Sequence, residues 1–178
     1  ALKGEVLQSE ADKFVGADGR VQWLRWETRP WFQNDGSIGG IVIFTEDITA
    51  RRESEEVRRL LSLALSVAAN AIVITDPQGQ IEWMNPAFAA ISGYSSAEAL
   101  GQNITQLVRS GLHEHSFYEA MHRTISSGQP WQGELTNRRK DGSLYSEIMS
   151  ITPLLEADGK ISHFIAIKQD ISDQKRME

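Results

Sequence analysis

Four landmarks recur along this chain at one constant offset, and that repetition limits the possible folds more than any other feature. Asp18-Gly19, Pro30, Asp35-Gly36 and Asp47-Ile48-Thr49 return 123 residues later as Asp141-Gly142, Pro153, Asp158-Gly159 and Asp170-Ile171-Ser172. Landmarks that keep their mutual spacing without a gap mark a duplicated structural unit rather than a chance scatter of turn dipeptides. Each Asp-Gly pair sits between apolar-alternating runs, over 21–32 and 38–44 in the first copy and over 144–155 and 161–167 in the second. Such a dipeptide between such runs signals a hairpin, because both residues tolerate the backbone conformation a tight turn imposes. Each copy is therefore expected to end in three antiparallel strands. The second is preceded by a further segment over 65–130 whose counterpart would lie before Ala1, so the first copy is expected to be the last part of a domain.

The opening strand of the second copy, from Trp131 to Arg138, carries the most suggestive chemistry. Strand side chains alternate faces, so Trp131, Gly133, Leu135 and Asn137 share one side and Gln132, Glu134, Thr136 and Arg138 the other. The first face offers a ring to pack on, room left by a missing Cβ and one amide to fix orientation. Those are the needs of a pocket for a planar heteroaromatic ligand. The same residues also suit a core tryptophan and a turn-forming asparagine.

Read in order, residues 4–49 give three strands, with Trp23, Trp26, Trp31 and Phe32 supplying much of their apolar surface. One face of that sheet is expected to need covering by upstream residues, the second domain or another chain. Over 50–69 the period becomes helical: Arg52 with Glu56 and Glu55 with Arg59 are four apart, and Val57, Leu60, Leu61, Ala64, Leu65 and Ala68 form a stripe. This linker helix suits either a short coiled coil with a second copy or a cover for the following sheet. Ala71-Ile72-Val73-Ile74, the turn Asp76-Pro77-Gln78-Gly79 and Ile81-Glu82-Trp83-Met84 read as a hairpin. Asn85-Pro86 predicts a capped helix through Phe88 and Ile91, and Ser95 with Glu98 a capping box for a second short helix stopped by Gly101. After a loop over 102–111, a longer helix carries Phe117, Tyr118, Met121 and Ile125 on one face and ends near Gly128.

Composition narrows the function. The 178-residue chain has 18 Lys and Arg against 24 Asp and Glu, a formal charge of -6, which argues against a general nucleic-acid surface. Without cysteine there is no disulfide, thiolate metal site or cysteine nucleophile. The one candidate membrane segment, over 60–74, is shorter than the roughly 20 apolar residues a spanning helix needs and contains Ser62, Ser66 and Asn70. No direct membrane contact is expected of this segment, and a cytoplasmic location is, with a larger membrane-anchored protein as its possible parent. There is no P-loop, metal-ligand spacing or Ser-His-Asp pattern, so the segment is read as non-catalytic and without a metal site.

Five antiparallel strands with helices inserted after the second resemble the PAS sensor family, an α+β fold. The residues carrying the resemblance are Asn85-Pro86-Ala87-Phe88, Gly93-Tyr94, Gly101-Gln102-Asn103-Ile104, Trp131-Gln132-Gly133-Glu134, Asn137-Arg138-Arg139-Lys140-Asp141-Gly142 and the closing Asp170-Ile171-Ser172. It implies a complete domain over 65–172, the three C-terminal (PAC) strands of another over 1–49, a linker helix over 50–64 and an exit helix starting over 173–178. The run from Trp131 to Lys140 is similar to the subset that includes FAD-binding redox sensors. Carried over from the related light-oxygen-voltage photoreceptors, Asn103 and Asn137 match flavin-contact positions, and Glu147 and Lys168 stand where those proteins use amides. Ile104 takes the place of their reactive cysteine and Val108 that of a glutamine, so cysteinyl photochemistry is excluded.

The resemblance implies a sensory input and relay module of a bacterial signalling protein, such as a two-component system, with non-covalent FAD held by Trp131, Asn137, Asn103, Glu147 and Lys168. The same family includes cofactor-free relay and dimerisation modules, and haem-based gas sensors, for which His113 and His115 lie near the proximal-ligand region. A homodimer through the linker and exit helices is expected, as is an effector in cis beyond Glu178, such as a histidine kinase or a diguanylate cyclase.

Overall fold

The two Asp-Gly hairpins that close each copy form in matching register. In the first, β2 (Val21–Phe32) pairs with β3 (Ile38–Asp47), setting Leu24 opposite Asp47 and Pro30 opposite Ile41. In the second, β7 (Leu144–Leu155) pairs with β8 (Ile161–Asp170), setting Glu147 opposite Asp170 and Pro153 opposite Phe164. Even the irregularity before the turn recurs, between Trp31 and Phe32 and between Leu154 and Leu155. At both turns the glycine carries positive φ, 82° at Gly36 and at Gly159. The sequence repeat is therefore a repeat of structure, pinned by turn geometry.

The computed structural model describes residues 4–177 and divides into two compact units, Ala1–Ser62 and Leu63–Glu178. The first holds β1 (Leu7–Val15), β2 and β3 as one antiparallel sheet in that order, followed by α1 (Thr49–Val67), whose last residues belong to the second unit. None of its described residues is fully buried, and Phe14, Ile43 and Phe44 are all more than half exposed. The expected ion pairs on α1 form one step aside: Arg51 binds Glu55 and Arg59 binds Glu56. Arg52 instead lies 4.1 Å over the Trp23 ring, a cation–π contact that outcompetes a solvated pair with Glu56.

The second unit is a five-stranded antiparallel sheet in the order β5-β4-β8-β7-β6, where β4 is Ala71–Thr75, β5 Ile81–Met84 and β6 Trp131–Arg138. Four helices are inserted between β5 and β6: α2 (Pro86–Ser92), α3 (Ser96–Ala99), α4 (Ile104–Val108) and α5 (His115–Ser126). Helix α4 lies where a loop was expected; its five residues are too few to display a helical period, and Asn103 caps it by accepting the Thr105 and Gln106 N–H groups. Asn85 starts α2 as its sequence predicts and does more. Its buried side chain accepts the Ile72 and Phe88 N–H groups and donates to the Leu65 and Asn70 carbonyls, tying α2 to the start of β4. Glu98 accepts the N–H and hydroxyl of Ser95, closing the expected box of α3. Lys140 also binds Glu98, and together with Ser95 it holds that carboxyl down to about 2.

Two apolar clusters fill this unit. One gathers Val73, Ile81, Phe88, Ala99 and Val108 beneath the short helices; the other gathers Tyr118, Met121 and Ile125 of α5 against Leu135, Met149 and Ile151 of the sheet. Phe88 is wholly buried, which stabilises the fold by about 1.5–3 kcal/mol. Between the clusters the helices stand off the sheet and leave a hollow. The closing helix α6 (Ser172–Met177) leaves from the end of β8.

Candidate ligand pocket

Period-two alternation brings Asn137 of β6, Glu147 of β7 and Lys168 of β8 to the inner face of the sheet, where all three are buried. Lys168 Nζ donates to Glu147 Oε1 at 2.7 Å, and Asn137 Nδ2 donates to the same oxygen at 2.9 Å. The other oxygen of Glu147, Oε2, has no hydrogen-bond partner, and neither have the hydroxyls of Tyr118 and Tyr145. A buried ion pair persists only when each charge is matched, because desolvating a lone charge costs more than packing returns. An acceptor left open beside that pair is therefore the chemically exposed point of the interior.

The hollow beside Asn137 and Lys168 has two adjoining parts. An open apolar cavity of about 300 Å³ runs past Pro77, Gly79, Asn103, His122 and Phe164. A narrow extension of about 60 Å³ reaches Tyr118, Leu135, Asn137, Met149 and Lys168. Ile104, Thr105, Arg109, Met121, Ile151 and Ala166 border both. The walls are thus largely apolar, and the narrow end adds the polar side chains of Tyr118, Asn137 and Lys168. Arg109 lies 4.3 Å over the Tyr118 ring at the junction. Burial pushes the Tyr118 phenol up in spite of that guanidinium, and burial followed by the Glu147 carboxylate pushes the Tyr145 phenol up further, so both remain protonated donors.

The structure brings Asn137, Glu147 and Lys168 together, and of the other two expected residues it keeps Asn103 on the cavity and Trp131 off it. Asn103 stands at the rim, where its amide donates to the Gln78 carbonyl and its oxygen caps α4. Trp131 borders neither part of the hollow; its ring meets Phe117 edge-on at 5.8 Å. The room left by the missing Cβ of Gly133 is taken by that ring, since a Cβ there would stand 2.7 Å from it. The two histidines considered for haem are committed to other partners. His113 Nε2 accepts the Thr136 N–H at 2.8 Å, and His115 is exposed and 3.3 Å from Glu119. Tyr118 and Arg109 border the hollow and Tyr145 pairs across the sheet with Asn137, roles that the sequence alone does not signal. The face of Tyr145 was within reach, because it is two residues from Glu147 on the same strand and so shares its side.

Comparison with known proteins agrees with this architecture. A family model described as PAS domain matches residues 69–173, and one described as PAS fold matches residues 1–53. The chain is 40% identical over 111 residues to a nitrogen fixation regulatory protein of Klebsiella oxytoca, covering 62% of this chain and 22% of that protein. It is 30% identical over 124 residues to phototropin-1B of Oryza sativa subsp. japonica, covering 68% of this chain and 13% of that one. The chain thus spans about a fifth or less of these curated relatives. The crystal structure of a PAS domain from Colwellia psychrerythraea is 27% identical, with a TM-score of 0.58 over 66% of this chain and 98% of that one. With the duplicated hairpins, the five-stranded sheet and the polar-ended hollow in place, the chain belongs to the PAS domain family of signalling sensor modules.

Proposed function

We propose that the second repeat is a redox-sensing input domain that holds FAD non-covalently, and that the chain relays its state to an effector in cis, such as a histidine kinase or a diguanylate cyclase. The carrying observation is the buried trio Asn137, Glu147 and Lys168: Asn137 and Lys168 line the narrow end of an apolar slot, and both bond to Glu147, whose other oxygen is unpartnered. The donor set fits the hydrogen-bonding edge of an isoalloxazine: Glu147 accepts, Lys168 donates, and the Asn137 amide does either. The 300 Å³ cavity is at the lower bound for a small-molecule site, about 300–1,000 Å³. Asn103 at the rim and the carry-over from light-oxygen-voltage photoreceptors support the same reading, and the 30% match to phototropin-1B agrees with it.

Bound flavin would supply a redox centre whose ring changes protonation on reduction. The part played by this chain is to read that change. Lys168 and Glu147 answer a new charge or proton by exchanging their mutual bond for one to the ligand, and Asn137 follows because it shares Glu147 Oε1. Trp131 acts from outside the slot, by fixing the position of Phe117 on α5. The helices α1 and α6 carry the signal in a homodimer in the cytoplasm. No helix among the described residues is long and apolar enough to cross a membrane.

A second reading, a cofactor-free relay and dimerisation module, is favoured by the narrowness of the inner extension, about 60 Å³, and by the bonds the trio makes within itself. The absorption spectrum decides between the two. Purified protein, or protein incubated with FAD and desalted, is expected to retain a flavin band that bleaches with dithionite. A colourless protein after both treatments overturns the flavin reading and leaves the relay. Haem is disfavoured by the commitments of His113 and His115, and a Soret band lost on replacing His115 would reverse that judgement.

A further inference from the structure

The interior ion pair is not isolated from the exit of the domain. Glu147 and Asp170 are direct cross-strand partners on β7 and β8. Two carboxylates opposite each other on one sheet face repel, and the arrangement is tolerated only if each is neutralised. Here each has its own cation: Lys168 at 2.7 Å from Glu147 and Arg139 at 2.6 Å from Asp170. The four charges run cation, anion, anion, cation from the narrow end of the hollow to the end of the sheet.

Asp170 is shared between this row and the exit helix. Its Oδ2 accepts from Arg139, while its Oδ1 accepts the Ser172 N–H at 2.9 Å. The first turn of α6 is further fixed by Ser172 Oγ, which accepts the Ser146 N–H at 3.0 Å, and by the Ile171 N–H, which donates to the Ser146 carbonyl at 2.8 Å. Arg139 reaches beyond Asp170. It donates to the Ile91 carbonyl near the end of α2 and lies 4.5 Å over the ring of Tyr145, which shares the inward face of β7 with Glu147. One guanidinium therefore touches α2, the inner face of β7 and the anchor of the exit.

The first repeat provides an internal contrast. Its exit keeps the same backbone arrangement: Asp47 Oδ1 accepts the Thr49 N–H at 2.9 Å, Thr49 Oγ1 accepts the Trp23 N–H at 2.8 Å, and the Ile48 N–H donates to the Trp23 carbonyl at 2.8 Å. Asp47 matches Asp170, but the counterparts of the other three charges are gone. Gly16 stands for Arg139, Leu24 for Glu147 and Thr45 for Lys168, and the partner of Asp47 is the neutral amide of Gln22. The turn that launches a helix is thus independent of the charges, and the charges are an addition found at the second exit.

We propose that Lys168, Glu147, Asp170 and Arg139 form a single charge ladder through which a change of charge in the hollow alters the hold of Asp170 on α6, with Arg139 as the positioning residue that keeps Asp170 in the ladder. This rests on the hollow being the sensing site, but it does not require a particular ligand. Its test uses the ligand-free chain, so a colourless protein would sink the flavin reading and leave the ladder standing.

The experiment follows the Asp170 carboxyl by carbon NMR across a pH titration, together with hydrogen exchange of the Ile171, Ser172 and Lys175 amides. Lys168→Met leaves Glu147 without its cation. Although Lys168 makes no hydrogen bond to Asp170, the Asp170 midpoint is expected to rise and the three amides to exchange several-fold faster. Arg139→Gln is expected to do the same by direct loss. In the double variant the exchange rates should depart from the product of the two single effects by threefold or more, the mark of coupled sites. Arg139→Lys, which keeps the charge, should return the midpoint towards its original value. Where Lys168→Met fails to fold, Glu147→Gln enters the cycle instead, removing one of the facing charges, and is expected to lower the midpoint. An Asp170 midpoint indifferent to both interior variants, or rates that simply multiply, would overturn the ladder and leave Arg139 a local brace.

Discussion

The two repeats share a hairpin register residue for residue, yet their inner faces are chemically opposite. At the positions where the second carries Asn137, Glu147 and Lys168, the first carries Phe14, Leu24 and Thr45. Register depends on turn chemistry and on alternation, which the duplicated Asp-Gly turns and β-branched runs preserve. What faces inward is free to change so long as the interior remains either apolar or fully paired. The comparison therefore separates the scaffold, common to both repeats, from the buried polar trio, which the second carries and the first does not.

The largest test of that separation is Lys168→Met. It strands the Glu147 carboxylate in the interior, and breaking a buried pair from one side costs about 3–5 kcal/mol. Urea unfolding of the 178-residue chain should show a loss of that order in the second unit. Replacing the whole trio by the first repeat's residues, with Asn137→Phe, Glu147→Leu and Lys168→Thr together, should cost markedly less, since no charge is then left unpaired. If the single variant proves as mild as the triple, the interior is wetter than a sealed pair and the contrast between the repeats is one of sequence alone.

A second test works on the scaffold. The first repeat has Gly39 and Gly40 where the second has Ser162 and His163, and it has Trp31 where the second has Leu154. The Trp31 ring lies across both glycines, such that a Cβ on Gly39 would stand 2.3 Å from it and one on Gly40 2.7 Å. Gly39→Ser should therefore cost about 1–2 kcal/mol, because the half-exposed ring must be pushed aside. Adding Trp31→Leu, which restores the second repeat's pairing of Leu154 with Ser162, should recover most of the loss in a thermal unfolding series. A Gly39→Ser variant as stable as the parent would show that the two hairpins tolerate one another's residues without compensation.

Most of the scaffold was legible because its signals are local. Asp-Gly turns, the Asn85-Pro86 helix start and the Ser95 to Glu98 box each depend on residues within four positions of one another, and each formed as read. The site was legible only as a set of faces. Alternation put Asn137 on the inner face, but it also put Trp131 there, and alternation says nothing of where a ring at the end of a strand will turn. The aromatic side of Phe117 on a distant helix settled that. Arg139 was legible as a letter of the family's signature but not as a bridge, since its three contacts lie 48, 31 and 6 residues away along the chain and meet only when the sheet closes.

The smallest expected effect compares the two exits under acid. Burial alone would raise the Asp170 carboxyl, but Ser172 and then Arg139 outweigh it and hold it below the ordinary carboxylate range. Asp47 is held low as well, by Thr49 first and against a smaller pull of burial, with Gln22 helping. A carboxyl whose folded value is depressed contributes stability that is fully present above its unfolded value, about 3.9, and is lost as pH falls through the folded one. Both exits should therefore weaken on the acid side, and neither should respond between neutral pH and about 5. Salt distinguishes them. Asp170 faces a full charge on Arg139, a pair contributing less than about 1 kcal/mol, while the partners of Asp47 are neutral. Raising ionic strength from 0.1 M to 1 M shortens the screening length from about 10 Å to about 3 Å, so the Asp170 midpoint should drift upward and the Asp47 midpoint should hold. Equal drift at both carboxyls would mean that Arg139 contributes no charge to the second exit beyond what an amide supplies to the first.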